Sequence, residues 1–222
     1  MNPEIPFLNI HSHQKRRQGE WNVFSLDATD LSKSIPEHKF LSCGIHPWFI
    51  TSRWKEDFEH LKVLWQQPHT LFVGECGLDP NSSHPMSLQK EVFRMQAEWA
   101  VSQNMPMILH CVKAFDPIIA LHKQLRPHAP WVIHGFRGKP QQMQSLLHLG
   151  FYVSFGKLFN PESVAICPAG RFFIETDESD EPIAEIYQRI AQIRSTDMES
   201  LKKEQAENLK QLLKFKGLQP NP

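Results

Sequence analysis

The sequence predicts an α/β fold in which parallel strands close into a (β/α) barrel, trimmed and distorted, as a single domain over residues 1–222. Short apolar runs with strand character recur eight times along the chain. Several are continuous apolar blocks rather than alternating ones, as parallel strands buried on both faces require. Amphipathic segments of helical period separate the later runs, and alternation repeated this often means a mainly parallel sheet.

The strand-like runs occupy residues 5–10, 21–26, 39–44, 70–75, 105–110, 131–134, 150–154 and 171–176, a number that favours closure. Helical periodicity covers 53–67, 86–103, 115–125, 140–147 and 182–193. A last helix is expected over 197–216, with Leu201, Leu209, Leu212, Leu213 and Phe215 as its apolar residues and Gly217 as its stop. The first two connections, 14–20 and 27–38, are too short for full helices, hence a trimmed barrel. No linker, low-complexity stretch or solenoid repeat divides the chain.

The charge is balanced, with 24 Lys+Arg against 24 Asp+Glu, which excludes a strongly basic nucleic-acid coat but not a local basic rim. No charged-then-apolar leader opens the sequence and no apolar stretch approaches a membrane span, so no membrane partner is expected. Cys43, Cys76, Cys111 and Cys167 lie far apart without Cys-x-x-Cys spacing. They read as reduced core residues of a cytoplasmic protein, expected to be a monomer.

The chemistry gathers where the strands end. His11 and His13 follow the first run, His46 the third, Glu75 closes the fourth, His110 the fifth, His134 the sixth, and Asp177 follows the eighth. In a parallel barrel those carboxyl ends share one face, where active sites of this architecture are built. His11 and His13, two apart, project the same way on extended chain. Four imidazoles and two carboxylates converging on one opening suit one or two divalent ions with mixed nitrogen and oxygen ligands. A lone histidine at a strand end is ordinarily solvated, and a lone Glu75 or Asp177 can cap a helix. Recurrence at equivalent positions makes the set a metal site.

His46, before Pro47, is read as lining the pocket or orienting a ligand. His60, His69, His84, His122, His128 and His148 are read as surface residues, and Trp48, Trp54, Trp65, Trp99 and Trp131 as core or rim packing. Gly-x-Gly-x-x-Gly, Walker, His-Glu-x-x-His and Gly-x-Ser-x-Gly motifs are missing from the sequence.

In order and approximate spacing, several motifs resemble the TatD-type metal-dependent hydrolases: His11-x-His13, Gly44-Ile-His-Pro47, Val73-Gly-Glu-Cys-Gly-Leu-Asp79, Leu109-His-Cys111, Ile133-His-Gly-Phe-Arg-Gly138, Gly150-Phe-Tyr-Val-Ser-Phe155 and Ile174-Glu-Thr-Asp177. The likeness runs from about Asn9 to Glu207-Asn208-Leu209 in the last helix. It implies a TIM-type barrel and two divalent ions (Mg²⁺, Mn²⁺ or Zn²⁺). It also implies phosphodiester hydrolysis, often as a 3′→5′ deoxyribonuclease, with nucleic acid or another phosphodiester as substrate. Carried over by residue, His11, His13, Glu75 and Asp177 hold one ion, and Glu75 bridges to a second held by His110 and His134.

Four features depart from the family pattern. Asn9 stands in place of Asp before the His-x-His pair, and Val112 in place of an Arg. Glu178-Ser-Asp-Glu-Pro182 follows Asp177 instead of an Ala-Pro-type turn, and the chain is short. Lys113, Arg137 and Lys157, just beyond strands five, six and seven, are candidates for the lost phosphate contacts. Glu178, Asp180 and Glu181 would oppose a polyanion. In the expected reaction Asp177 accepts the proton of a metal-activated water while Glu75 holds the ions together. Two other functions fit the same residues: hydrolysis of amides or lactones on this scaffold, and metal binding without catalysis.

Overall fold

Eight parallel strands, hydrogen-bonded in chain order, make one sheet: β1 (Phe7–Ser12), β2 (Glu20–Asp27), β3 (Phe40–Gly44), β4 (Thr70–Leu78), β5 (Met107–Cys111), β6 (Trp131–Ile133), β7 (Tyr152–Phe155) and β8 (Phe172–Ile174). The computed structural model describes residues 5–14, 18–30 and 40–216. Seven α-helices follow among them: α1 (Trp54–Trp65), α2 (Met86–Ser102), α3 (Phe115–Leu125), α4 (Pro140–His148), α5 (Pro161–Ile166), α6 (Ile183–Ile193) and α7 (Met198–Leu213). None is long and apolar enough to cross a membrane.

The two edges of the sheet meet, making the TIM-type barrel. Ser12 bridges Asp177 in parallel, the His13 amide donates to the Asp177 carbonyl at 3.1 Å, and the Asp177 amide donates to the His11 carbonyl at 3.1 Å. Asn9 locks the same seam. Its Nδ2 donates to Thr176 Oγ1 at 2.8 Å while its Oδ1 accepts the Thr176 amide at 3.1 Å. A carboxylate at position 9 has no N–H with which to make the first of these bonds.

Two cores flank the sheet. The larger fills the layer between strands and helices; α6, for example, buries Ile183, Ile186, Tyr187, Ile190 and Ala191, the i, i+3, i+4, i+7, i+8 stripe of an amphipathic helix. The smaller joins Leu8, Ile10, Val23, Phe72, Ile108, Val132 and Phe173 with Leu209, Leu212 and Leu213 of α7. Residues drawn from strands all round a barrel can meet only in its interior, so these mark the inward positions. Strict alternation then carries His110, His134 and Glu175, each two residues beyond Ile108, Val132 and Phe173, to the inside as well.

His11 and Glu75 have the wrong parity for that rule. Alternation from Ile10 and Phe72 would turn both outward, yet the pairing register slips within each strand, between Asn9 and Ser12 and between Val73 and Cys76. The irregularities re-aim both side chains into the barrel. Two glycines permit the second one. A Cβ on Gly74 (φ 135°) would meet the Ile108 carbonyl oxygen at 2.2 Å, and one on Gly77 (φ 151°) that of His110 at 2.0 Å. Only glycine lets β4 approach β5 this closely and bring Glu75 beside His110.

The described elements correct the sequence reading in places. β1 covers Phe7–Ser12 rather than 5–10, because Pro6 cannot donate to a ladder and pairing with β2 continues to Ser12. β4 runs three residues beyond the expected end at Glu75. The helix α5 was not foreseen: six residues hold too little periodicity, although Asn160 caps the Glu162 and Ser163 amides. The last helix ends at Leu213 in a short 3₁₀ turn over Lys214–Lys216. The expected stop at Gly217 and strand start at Lys39 lie outside the described residues, as do parts of the first two connections. His122, read as a surface residue, packs against Trp131 and Phe151 with ring centroids 5.0 and 4.2 Å away.

Candidate metal centre

The six residues singled out as ligands come together at the carboxyl end of the barrel, around Glu75. His110 Nδ1 lies 2.7 Å and His134 Nε2 2.8 Å from Glu75 Oε1; His11 Nε2 and His13 Nε2 lie 3.2 and 3.3 Å from Oε2. Asp177 Oδ1 stands 3.6 Å from His11 Nε2 and 3.7 Å from His13 Nε2. Glu75, in the middle of β4, is nearly buried, whereas Asp177, beyond β8 with φ 56°, is partly open to solvent.

A fifth imidazole joins them. His46 Nε2 faces Glu75 Oε1 at 3.3 Å, so this residue touches the centre rather than only lining the pocket. Its other nitrogen decides its role. His46 Nδ1 accepts the Trp48 amide at 3.2 Å, which leaves the neutral ring's proton on Nε2. A ring held in that tautomer offers Glu75 a donor, not a lone pair for a metal. His46 therefore orients Glu75. Asp27 holds the same loop through the His46 amide, 3.0 Å from its Oδ2, and burial raises its carboxyl above the ordinary range.

The same reasoning fixes His110 and His134. His110 Nε2 meets buried Asp79 Oδ2 at 3.1 Å, and His134 Nδ1 meets buried Glu175 Oε1 at 3.3 Å. Each carboxylate accepts the ring N–H on its own side, so that His110 Nδ1 and His134 Nε2 are the nitrogens that would turn a lone pair to an ion. Asp79 also accepts the Trp48 indole N–H at 2.8 Å and the Asn81 amide at 2.8 Å, and Ser154 Oγ donates to Glu175. The sequence reading gave no role to Asp79 or Glu175. Their signal was present: Asp79 closes the Gly-Leu-Asp that follows Glu75, and Glu175 precedes Asp177 by two residues on β8.

The donor set fits a cation. Among the described residues, three or more ligand atoms lie within 4.8 Å of one another in four groups, and Glu75 belongs to two: with His11 and His134, and with His46 and His110. The others are His11–His13–Asp177 and His134–Glu175–Asp177. In fully buried His11, Nδ1 has no hydrogen-bond partner and Nε2 meets Glu75 and Asp177 only in poor geometry, a cost that a metal bond to the ring would remove. Electrostatics agree. Burial and neighbouring His134 depress His11, but Glu75 and Asp177 outweigh them and raise it to about 9. Burial would raise Glu75, yet His134 and His11 hold it well below the carboxylate range. Burial likewise opposes the ionisation of Asp177, which its bond to His11 and the His134 charge nonetheless lower to about 2. Protons on His11 and His134 thus balance the carboxylates, and a bound divalent ion would replace that positive charge.

The remaining candidates surround the opening. A cavity of about 420 Å³ is lined by His13, Asp27, His46, Trp48, Phe49, Glu75, His110, His134, Asp177 and Glu178, among others. Two neighbouring cavities also touch Asp177: one carries Lys113 and Arg137, the other Arg137 and Lys157. All three cations are exposed and free of the inner ligand cluster. Of the acids expected to oppose a polyanion, Glu178 lines the first cavity, whereas Glu181 is paired with Arg189 at 2.7 Å. Trp48, read as core or rim packing, is a rim residue bonded to Asp79 and 49% exposed.

Residues 20–214 match the family described as TatD related DNase. The 3′-5′ ssDNA/RNA exonuclease TatD of Escherichia fergusonii is 30% identical over 216 residues, covering 85% of this chain and 82% of that protein. An uncharacterized metal-dependent hydrolase of Bacillus subtilis, YabD, is 27% identical over 211 residues, covering 84% and 83%. In three dimensions the chain resembles the TatD homologue YjjV of Escherichia coli, with TM-score 0.77 at 18% identity over 93% of this chain and 97% of that one.

Proposed function

Because the chain belongs to the TatD-related DNase family, we propose that it is a divalent-metal-dependent phosphodiesterase that shortens nucleic acid from its 3′ end. The observation that carries this reading is Glu75, a carboxylate set among five imidazoles, with His110 and His134 at one oxygen and His11 and His13 at the other. One ion would be held by His11, His13, Asp177 and Glu75, and a second by His110, His134 and the same Glu75.

Ions bound there supply Lewis-acid activation of a water and offset negative charge on the phosphate. The protein supplies the rest. Asp177, held ionised at the edge of the cavity, is placed to accept the proton of the attacking water. Asp79 and Glu175 accept the outer N–H of His110 and His134, which would leave the inner nitrogens to an ion, and His46 steadies Glu75. Lys113, Arg137 and Lys157 bind substrate phosphates and take over from the arginine whose place Val112 occupies. Purified protein with Mn²⁺ should degrade single-stranded DNA, and Asp177→Asn should lower kcat by at least about 100-fold. Undiminished turnover in Asp177→Asn removes Asp177 from the chemistry.

A second reading draws on Asp27 and Glu178, which make part of the cavity wall acidic. Such a wall suits an uncharged amide or lactone better than a polyanion. A panel of phosphodiester, lactone and amide substrates separates the two.

A further inference from the structure

The opening divides by chemistry. Lys113, Arg137 and Lys157 lie in two cavities beside Asp177, while Asp27, Asp30, Trp48 and Phe49 share a third; Glu178 lines both that one and the cavity of Arg137 and Lys157. Trp48 and Phe49 are each 49% exposed, an unusual state for two adjacent large aromatic side chains. They are nonetheless held from behind. The Trp48 indole donates to Asp79 and meets the His46 and His110 rings edge-on, with centroids 5.9 and 6.3 Å away. The Phe49 amide bonds the His46 carbonyl at 3.0 Å, and its ring sits 5.3 Å from that imidazole.

Packing of Trp48 and Phe49 against the fold explains the anchored sides and not the exposed ones. Rigid aromatic faces beside a phosphate-handling centre are what a nucleobase stacks on, because every base has a π-face and fixed rings lose little entropy on binding. The charges on this wall bear on which nucleotide binds. Carboxylates of Asp27 and Asp30, which line only the aromatic cavity, repel a further phosphate but not a base, whereas the basic side accepts continuing backbone.

We propose that Trp48 and Phe49 form the subsite for the base of the terminal nucleotide, with the rest of the strand leaving across Lys113, Arg137 and Lys157. The proposal rests on the phosphodiesterase reading and adds a physical cause for action from an end: the aromatic wall receives one nucleoside, and its carboxylates turn away a second phosphate.

The test compares dAMP with deoxyribose 5-phosphate, probes that differ by the base alone, titrated calorimetrically into the protein with Mn²⁺. Stacking of one base predicts roughly 5- to 150-fold tighter binding of dAMP. Phe49→Ala, which leaves the Trp48–Asp79 bond in place, should reduce that ratio severalfold. Trp48→Leu should reduce it too, and Trp48→Phe should keep most of it. A ratio near one in the unmodified protein, or the same ratio in Phe49→Ala and Trp48→Leu, overturns the subsite. Cleavage of an oligothymidylate is scored separately. Cleavage with a ratio near one sinks the subsite alone, and a high ratio without cleavage upholds base binding while sinking the phosphodiesterase reading.

Discussion

Replacing Asp79 by Asn should cost the protein metal affinity although Asp79 itself holds no metal. Its Oδ2 accepts from both His110 Nε2 and Trp48 Nε1, and its Oδ1 accepts the Asn81 amide. An amide can satisfy only one of these sides. With its NH₂ toward His110, the imidazole must carry its proton on Nδ1, the nitrogen that faces Glu75, and loses the lone pair for the ion. With its NH₂ toward Asn81, two donors face each other in a buried place, at a cost of about 1–3 kcal/mol. In both arrangements His110 also loses the carboxylate charge that raises its basicity, so affinity for an ion there should fall about 10- to 100-fold, the range for groups that orient metal-bound histidines, or about 1.4–2.7 kcal/mol. Competition against a fluorescent chelator measures this directly, with Asp79→Glu as the variant that keeps the charge. Wild-type affinity in Asp79→Asn, with His110→Ala still losing an ion, would refute the tautomer argument.

Chelation should act on stability as well as on activity, because only the folded chain assembles the ligands. At a free ion concentration 100 times Kd, binding contributes about 2.7 kcal/mol, so EDTA should lower Tm by roughly 5–10 °C for a chain of this size; an unchanged Tm would argue against bound ions. His122 gives a pH signature remote from the centre. Burial against Trp131 and Phe151 lowers it from the ordinary 6.5 to about 4, so the unfolded chain takes up its proton first. Its contribution is fully present above pH 6.5 and is lost as pH falls through 4. In EDTA, His122→Phe should lose Tm less steeply than the parent over that window, and parallel curves would contradict the assignment.

The barrel was legible because several strands are continuous apolar blocks and the longer helices carry a clean stripe; α3 was placed with its observed bounds. The cluster of candidate ligands was legible for the same reason, as residue types at strand ends need no side-chain geometry. What escaped depended on parity and register. Alternation alone misdirects His11 and Glu75, and only the slips in β1 and β4 bring them inward. Glu175 was overlooked beside Asp177, although counting two residues from Phe173 points it into the barrel. His122 was misplaced because histidine is usually exposed, yet Ile118 and His122 lie four apart on the buried side of α3. His46 was read as lining the pocket or orienting a ligand, and the tautomer set by the Trp48 amide favours the second.

The central claim is that Glu75 serves two ions at once, and counting metal tests it most directly. Glu75→Gln keeps the shape of the side chain but removes the charge that five imidazoles converge on. Metal analysis of the purified protein, paired with anomalous scattering from Mn²⁺-soaked crystals, should find two ions per chain in the parent. His134→Ala should lose one of them, and Glu75→Gln both. Two ions retained in Glu75→Gln, with one lost in His134→Ala, would contradict the bridge and leave Glu75 a structural residue of β4.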